Sequence, residues 1–250
     1  MRTEVRSVTE VAVGVLQDPE TGRVLLGSRP EGKPYAGWWE LPGGKLELGE
    51  SVHEALVREL KEELDLTVLD SMPWFVMEKS YPHAYVRLHF RRSWTFSGEA
   101  MGLEGQEFCW ANPVRADSLQ LKLLPMVSLV LRRLMLPAIL AFGETPAALE
   151  KAADFVRSTA DAAVWVRTAT ERQTAENAGA TVFYWPEAVI MGAAPKDFMA
   201  ETTVLFGLGA SMESVAGHAN RLPVYVPWTD GVGRETILRS GAHGVYRRFF

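Results

Sequence analysis

The stretch Arg58-Glu59-Leu60-Lys61-Glu62-Glu63-Leu64 constrains this chain more than any other. Glu59, Glu62 and Glu63 stand at i, i+3 and i+4, so a helix gathers three carboxylates within roughly a 100° arc. Acids crowded on one face repel one another unless cations lie between them. Val57, Leu60 and Leu64 fall on the other side and predict the buried stripe, which leaves the acidic face to solvent and metal. Gly43 and Gly44 precede the helix and suit a close backbone approach or a positive φ.

Between Glu40 and Asp65 eight acids stand against three bases, a local balance of −5 that equals the formal net charge of all 250 residues. The remainder is neutral on balance, with no basic surplus to follow a nucleic-acid backbone or an anionic membrane. A nucleic-acid polymer is therefore not an expected partner. Nor is a membrane, because the most apolar stretch, Leu123 to Phe142, is interrupted by Pro125, Arg132, Arg133 and Pro137. The single cysteine, Cys109, excludes an internal disulfide and lies in the apolar run Phe108-Cys109-Trp110, where a buried small residue is the plain reading. Met1 to Arg6 carry no apolar leader, and the expected location is the cytoplasm.

Val11 to Leu16 and Arg23 to Gly27 read as strands joined by a hairpin turn at Asp18-Pro19-Glu20-Thr21-Gly22. Tyr85 to Phe96 alternates, with Val86, Leu88 and Phe90 opposite Arg87, His89 and Arg91, as a half-buried strand does. Leu129 to Leu136 reads as a helix. Strands with helices between them predict a mixed sheet covered by helices. Pro137 marks a boundary, giving expected domains of 1–136 and 137–250. Beyond it, apolar runs at Ala138–Phe142, Ala163–Val166, Thr181–Trp185, Thr203–Leu208, Pro223–Val226 and Val245–Phe249 alternate with helical stretches, the pattern of parallel βα units. Thr145-Pro146 is a helix start, and Thr168 with Glu171 forms a capping box. The second domain is too short for a full (β/α)8 barrel, which takes roughly 200 residues or more.

Residues 8 to about 135 resemble a MutT-type Nudix hydrolase. The resemblance is carried by Gly27-Ser28-Arg29, by Trp39-Glu40-Leu41-Pro42-Gly43-Gly44-Lys45, by the box from Gly44 to Leu66, and by Leu103-Glu104-Gly105-Gln106. It implies an α/β class fold: a Nudix α/β/α sandwich with a mixed sheet, followed here by a smaller α/β domain of parallel βα units. That second domain is similar in pattern to a shortened thiamine phosphate synthase/TenI-like domain. The implied activity is hydrolysis of a nucleoside diphosphate linked to a further group, with Mg2+ or Mn2+ as cofactor and 8-oxo-dGTP as a candidate substrate. The partner is then a small nucleotide, and a homodimer is compatible with the resemblance.

The resemblance also distributes roles. Glu59, Glu62 and Glu63 are implied metal ligands, joined by a backbone carbonyl of Gly43 or Gly44, while Glu104 completes the metal site or acts as base. Arg58 either holds the acidic helix through a neighbouring glutamate or touches phosphate. Arg29 and Lys45 match phosphate-side positions, and Trp39, Glu40, Leu41, Tyr81 and Val127 complete the implied substrate-binding set. Two departures stand out. Asp65 replaces the usual glycine that ends the box helix at positive φ, a conformation Asp tolerates. Leu124-Pro125-Met126-Val127 stands where the MutT pattern has Leu-Pro-Ala-Asn, so Val127 takes the place of the base-reading Asn. A second function class is a ligand sensor with the C-terminal domain as its output, but the intact acidic core favours the enzyme.

Overall fold

The computed structural model describes residues 8–80, 85–113, 121–184, 189–191, 205–207, 224–228, 234–239 and 241–250. The chain divides into two compact units, Met1–Met135 and Leu136–Phe250.

In the first unit, β1 (Val8–Leu16), β4 (Gly43–Lys45), β5 (Thr67–Ser80) and β6 (Tyr85–Ser97) form one sheet in the order β4-β1-β6-β5. The β1–β6 pair is parallel and the others are antiparallel, so the sheet is mixed as expected. A second, antiparallel sheet has the order β3-β2-β7, from β3 (Trp39–Glu40), β2 (Val24–Ser28) and β7 (Phe108–Ala111). The Asp18–Gly22 turn closes as its composition predicts, with Asp18 accepting the Thr21 N–H at 2.6 Å and Gly22 at φ 67°. The hairpin itself needs correction. Beyond a single Gln17–Val24 bridge the two strands part into different sheets, because both edges of β1 are taken by β4 and β6.

Alternation along β1 and β2 builds two cores. Val13, Val15, Val24 and Leu26 face one way, against Val127, Val130 and Leu131 of α2 (Pro125–Leu134). Ala12, Leu16 and Leu25 face the other, against Ala55, Leu56, Leu60 and Leu64 of α1 (Val52–Leu64). Burying each of those leucines is worth about 1.5–3 kcal/mol. Helices thus cover both faces, the expected sandwich. The buried stripe of α1 runs through Leu56, Leu60 and Leu64 at steps of four, and Val57 lies at its margin, only partly buried. The α2 helix starts at Pro125, one turn before the expected Leu129, since proline at N1 forfeits no hydrogen bond.

The second unit is a parallel sheet, as its alternating pattern predicts. Its strands are β8 (Ile139–Gly143), β9 (Ala162–Val166), β10 (Val182–Tyr184), β11 (Val189–Met191), β12 (Leu205–Gly207), β13 (Val224–Pro227) and β14 (Gly244–Phe249). Among the described residues the helices between them are α3 (Pro146–Arg157), capped by Thr145, α4 (Ala169–Asn177), opened by the Thr168–Glu171 capping box, and α5 (Arg234–Arg239). Of the strands, β11 was not legible as an apolar run.

The strand order is β10-β9-β8-β14-β13-β12-β11, so the first strand of the unit pairs with the last, and its two edges, β10 and β11, are consecutive in the chain. Six inter-strand spacings of about 4.8 Å would separate those edges in a flat sheet, roughly 29 Å. The short link between Tyr184 and Val189 reaches at most about 18 Å. The sheet therefore curls. Around β8 and β9 both faces of the sheet are buried: Ala141, Val164 and Val166 lie against α3, and Leu140, Phe142 and Trp165 gather on the other side with Tyr225 and Tyr246.

Candidate active site

The acidic helix is fixed at both ends. Ser51 accepts the Glu54 N–H at 3.2 Å, and the Glu54 carboxylate accepts the Ser51 N–H at 2.8 Å, a capping box at the N-terminus. At the C-terminus Asp65 adopts φ 54°, ψ 21°, the left-handed conformation expected of the residue in the glycine position. His53 Nδ1 lies 2.8 Å from Ser71 Oγ, a contact between α1 and β5.

The two glycines of β4 bring the helix close to the sheet. A Cβ on Gly43, at φ 145°, would run into the Ala12 carbonyl, and a Cβ on Gly44 would fall among the carboxylate atoms of Glu59. Glu59 therefore lies directly over the Gly44 backbone. Arg58 fastens this arrangement. Its Nε and Nη2 donate to the two oxygens of Glu50 at 2.8 and 3.0 Å, Nη2 donates to the Lys45 carbonyl at 2.9 Å, and Nη1 reaches Glu59 at 3.1 Å and Glu62 at 3.2 Å. The guanidinium, with help from the Glu47 N–H, holds the Glu50 carboxyl down to about 2, and the same contacts raise Arg58 itself.

Glu104 arrives from the loop between β6 and β7. That loop is sewn to the end of α1, with the Met101 N–H on the Leu64 carbonyl at 3.0 Å and the Leu103 N–H on the Glu63 carbonyl at 3.1 Å. Burial first, then the charges of Glu59 and Glu104, push the Glu63 carboxyl up to about 7, and Glu40 adds to the effect. Burial also raises Glu40, opposed by Arg29 and Lys33. Arg29 pairs with Glu40 and donates Nε to the Pro34 carbonyl at 2.7 Å, while Lys33 Nζ lies 3.1 Å from Glu104.

Of the residues singled out in the sequence, the structure gathers Glu40, Glu59, Glu63, Glu104, Gly44, Arg29 and Arg58 around one acidic face. Glu62 stands at its exposed edge, 62% accessible. Lys45 is exposed and meets the group through its carbonyl. Trp39 is partly buried, its backbone bonded to Lys122 and Leu124. Val127 (2% exposed) and Leu41 (8%) are packed into the α2-side core. Tyr81 lies outside the described residues. Glu50 and Lys33 were not singled out. A glutamate just before a helix, two turns from an arginine inside it, could have drawn attention to Glu50; Lys33 carries no spacing signal.

Among the described residues no three acid, histidine or cysteine side chains converge closely enough to enclose an ion. In this arrangement Arg58 holds Glu59 and Glu62, and Lys33 holds Glu104. The donor chemistry nonetheless fits a hard divalent cation. Several carboxylates face a half-buried one whose ionisation their charges oppose, and a cation among them relieves that repulsion.

The NUDIX domain family model matches residues 8–127. The chain is 33% identical over 113 residues to the 8-oxo-dGTP diphosphatase of Haemophilus influenzae, which spans 45% of this chain and 82% of that enzyme. The chain belongs to the Nudix family. Its similarity to the 8-oxo-dGTP diphosphatase of Escherichia coli is 32% over 105 residues, covering 42% of this chain and 81% of the relative. With the CTP pyrophosphohydrolase of Escherichia coli it is 34% over 116 residues, covering 46% and 83%. The protein is thus a Nudix hydrolase, similar to pyrophosphohydrolases, from a family generally dependent on a divalent metal. The Nudix match lies within the first unit. Among the described residues no helix is long and apolar enough to cross a membrane.

Proposed function

We propose that this Nudix hydrolase cleaves nucleoside triphosphates to the monophosphate and pyrophosphate, using Mg2+ or Mn2+ held at Glu59, Glu62, Glu63 and Glu104. The observation that carries the reading is the tether of the Glu104 loop to the Glu63 carbonyl, which adds a distant acid to the Glu59–Glu63 face over Gly44. A divalent cation bound there would neutralise phosphate charge and lower the pKa of an attacking water. The protein's own part is positioning. Arg58 holds the acidic helix against β4 and Glu50, and Arg29, fixed by Glu40 and the Pro34 carbonyl, supplies positive charge at the edge of the acidic face.

The substrate class is broad. A purine-directed relative and a pyrimidine-directed one match at nearly the same identity, so similarity favours nucleoside triphosphates without choosing a base. Val127 is buried and cannot replace a base-reading amide. We take 8-oxo-dGTP as one substrate among several. The test is pyrophosphate release from dGTP, 8-oxo-dGTP and CTP in Mg2+, in Mn2+ and in EDTA. Metal-dependent release from more than one nucleotide supports the reading, and release from none of them refutes it.

A further inference from the structure

We propose that Lys33 is a phosphate-binding residue of this site, held on the acidic face by Glu104 and handed to a phosphate oxygen of the nucleotide when a divalent cation takes that carboxylate. The proposal rests on the nucleotide-hydrolase reading above.

Lys33 sits on the loop between β2 and β3, 71 residues before its partner, and its Nζ lies 3.1 Å from Glu104 Oε2. The two loops leave the same end of the paired strands β2 and β7, where the Ser28 N–H bonds the Glu107 carbonyl at 2.8 Å, and the Glu104 loop is in turn bonded to the carbonyls of Glu63 and Leu64 at the end of α1. The charge of Lys33 also acts on Glu40 and Glu63, so its ammonium stands among acids drawn from three separate parts of the chain. That is where a phosphate-bound cation would lie.

The pair is made to be broken. Both partners are about half exposed (49% and 50%), and ion pairs so open to water are weakly held. The loop does not depend on it for shape, since the Gly37 N–H bonds the Arg29 carbonyl at 2.9 Å, the Arg29 N–H bonds the Trp38 carbonyl at 2.8 Å, and the Arg29 side chain grips Pro34. Arg58 is committed through five bonds and Arg29 through two, whereas Lys33 carries its charge on a flexible stem with three donors. A divalent cation prefers carboxylate oxygen and competes directly with the ammonium for Glu104. Once displaced, the ammonium is left beside the incoming phosphates, so metal and nucleotide binding become coupled through one side chain.

The test uses the full chain with Lys33→Met and Lys33→Arg. Mn2+ is titrated into the nucleotide-free protein by electron paramagnetic resonance, and steady-state kinetics are measured with dGTP. Lys33→Met should bind Mn2+ about fivefold more tightly, because the competing ammonium is gone, and should raise KM for dGTP about tenfold with kcat within about threefold. Lys33→Arg should restore KM to within about threefold of wild type. An unchanged KM in Lys33→Met overturns the proposal whatever the Mn2+ result, as does a fall in kcat at unchanged KM. If the wild-type protein releases pyrophosphate from none of dGTP, 8-oxo-dGTP and CTP, the hydrolase reading is what fails; calorimetric binding of dGTP in EDTA and in Mg2+ then decides on Lys33, with equal affinity in wild type and Lys33→Met in Mg2+ overturning its role.

Discussion

Arg58 and Glu50 meet in a two-pronged ion pair, Nε to Oε1 at 2.8 Å and Nη2 to Oε2 at 3.0 Å, that ties the middle of the acidic helix to the residue just before its N-cap. The contact lowers Glu50 to about 2 in the folded protein, from an ordinary value of 4.5. A carboxyl depressed by folding contributes stability that is fully present above its unfolded pKa and lost as pH falls towards the folded one. The wild-type protein should therefore lose stability between about pH 5 and pH 2 more steeply than Glu50→Gln. Thermal melts across that range check this, and parallel slopes for the two proteins would refute it.

Glu63 behaves in the opposite sense. Its pKa is raised to about 7, so without metal its ionisation opposes folding as pH climbs from about 4.5 through 7. In EDTA at pH 8, Glu63→Gln should melt at or above the wild-type temperature, and the difference should vanish near pH 4. Its turnover in Mg2+ should nevertheless fall by at least about 10²-fold, and Glu62→Gln should fall similarly. Near-wild-type rates in both variants at saturating Mg2+ would remove these carboxylates from the chemistry.

Gly44→Ala places a methyl group in the space of the Glu59 carboxylate, whereas Gly43→Ala forces a positive φ and a collision with the Ala12 carbonyl. The first should fold with little loss of stability and lose about 10²-fold in kcat, since Glu59 alone must move. The second should cost about 3 kcal/mol or more through the β1–β4 pairing. Urea unfolding and kinetics on the two variants separate these effects.

Val127→Asn tests base reading. At 2% exposure the amide would be buried within an apolar core and should cost about 1–3 kcal/mol. It should not create a preference for the oxidised base. In the wild type the ratio of kcat/KM for 8-oxo-dGTP over dGTP should lie below about 10³, because no buried polar side chain at this position rejects the wrong base. A larger ratio would locate the recognition in other residues.

Both cores of the first unit are built from residues before Met135. A chain ending at Leu136 should fold and hydrolyse the same nucleotides with KM and kcat within about threefold of the full protein. A folded but inactive truncation would show that the second unit completes the site.

What the sequence determined by itself is local. The i, i+3, i+4 spacing of Glu59, Glu62 and Glu63 puts them on one helix face wherever that helix lies, and the left-handed turn at Asp65 and the Thr168–Glu171 cap depend on backbone groups a few residues away. Period-two alternation likewise made Tyr85 to Phe96 a strand, and alternation of apolar runs with helices made the second unit a parallel sheet. Only the tertiary structure decided which distant groups share the acidic face. Lys33 and Glu104 meet because β2 and β7 pair and carry their loops at the same end, Glu50 reaches Arg58 because the chain doubles back along α1, and β2 leaves β1 because both edges of β1 were already paired. Val127 shows the same division: its place in a Leu-Pro segment was legible, but its burial followed from the earlier start of α2 at Pro125, which turned that residue into the core. Periodicity encodes the face of an element, whereas contacts between elements depend on packing and strand pairing that no short window of sequence contains.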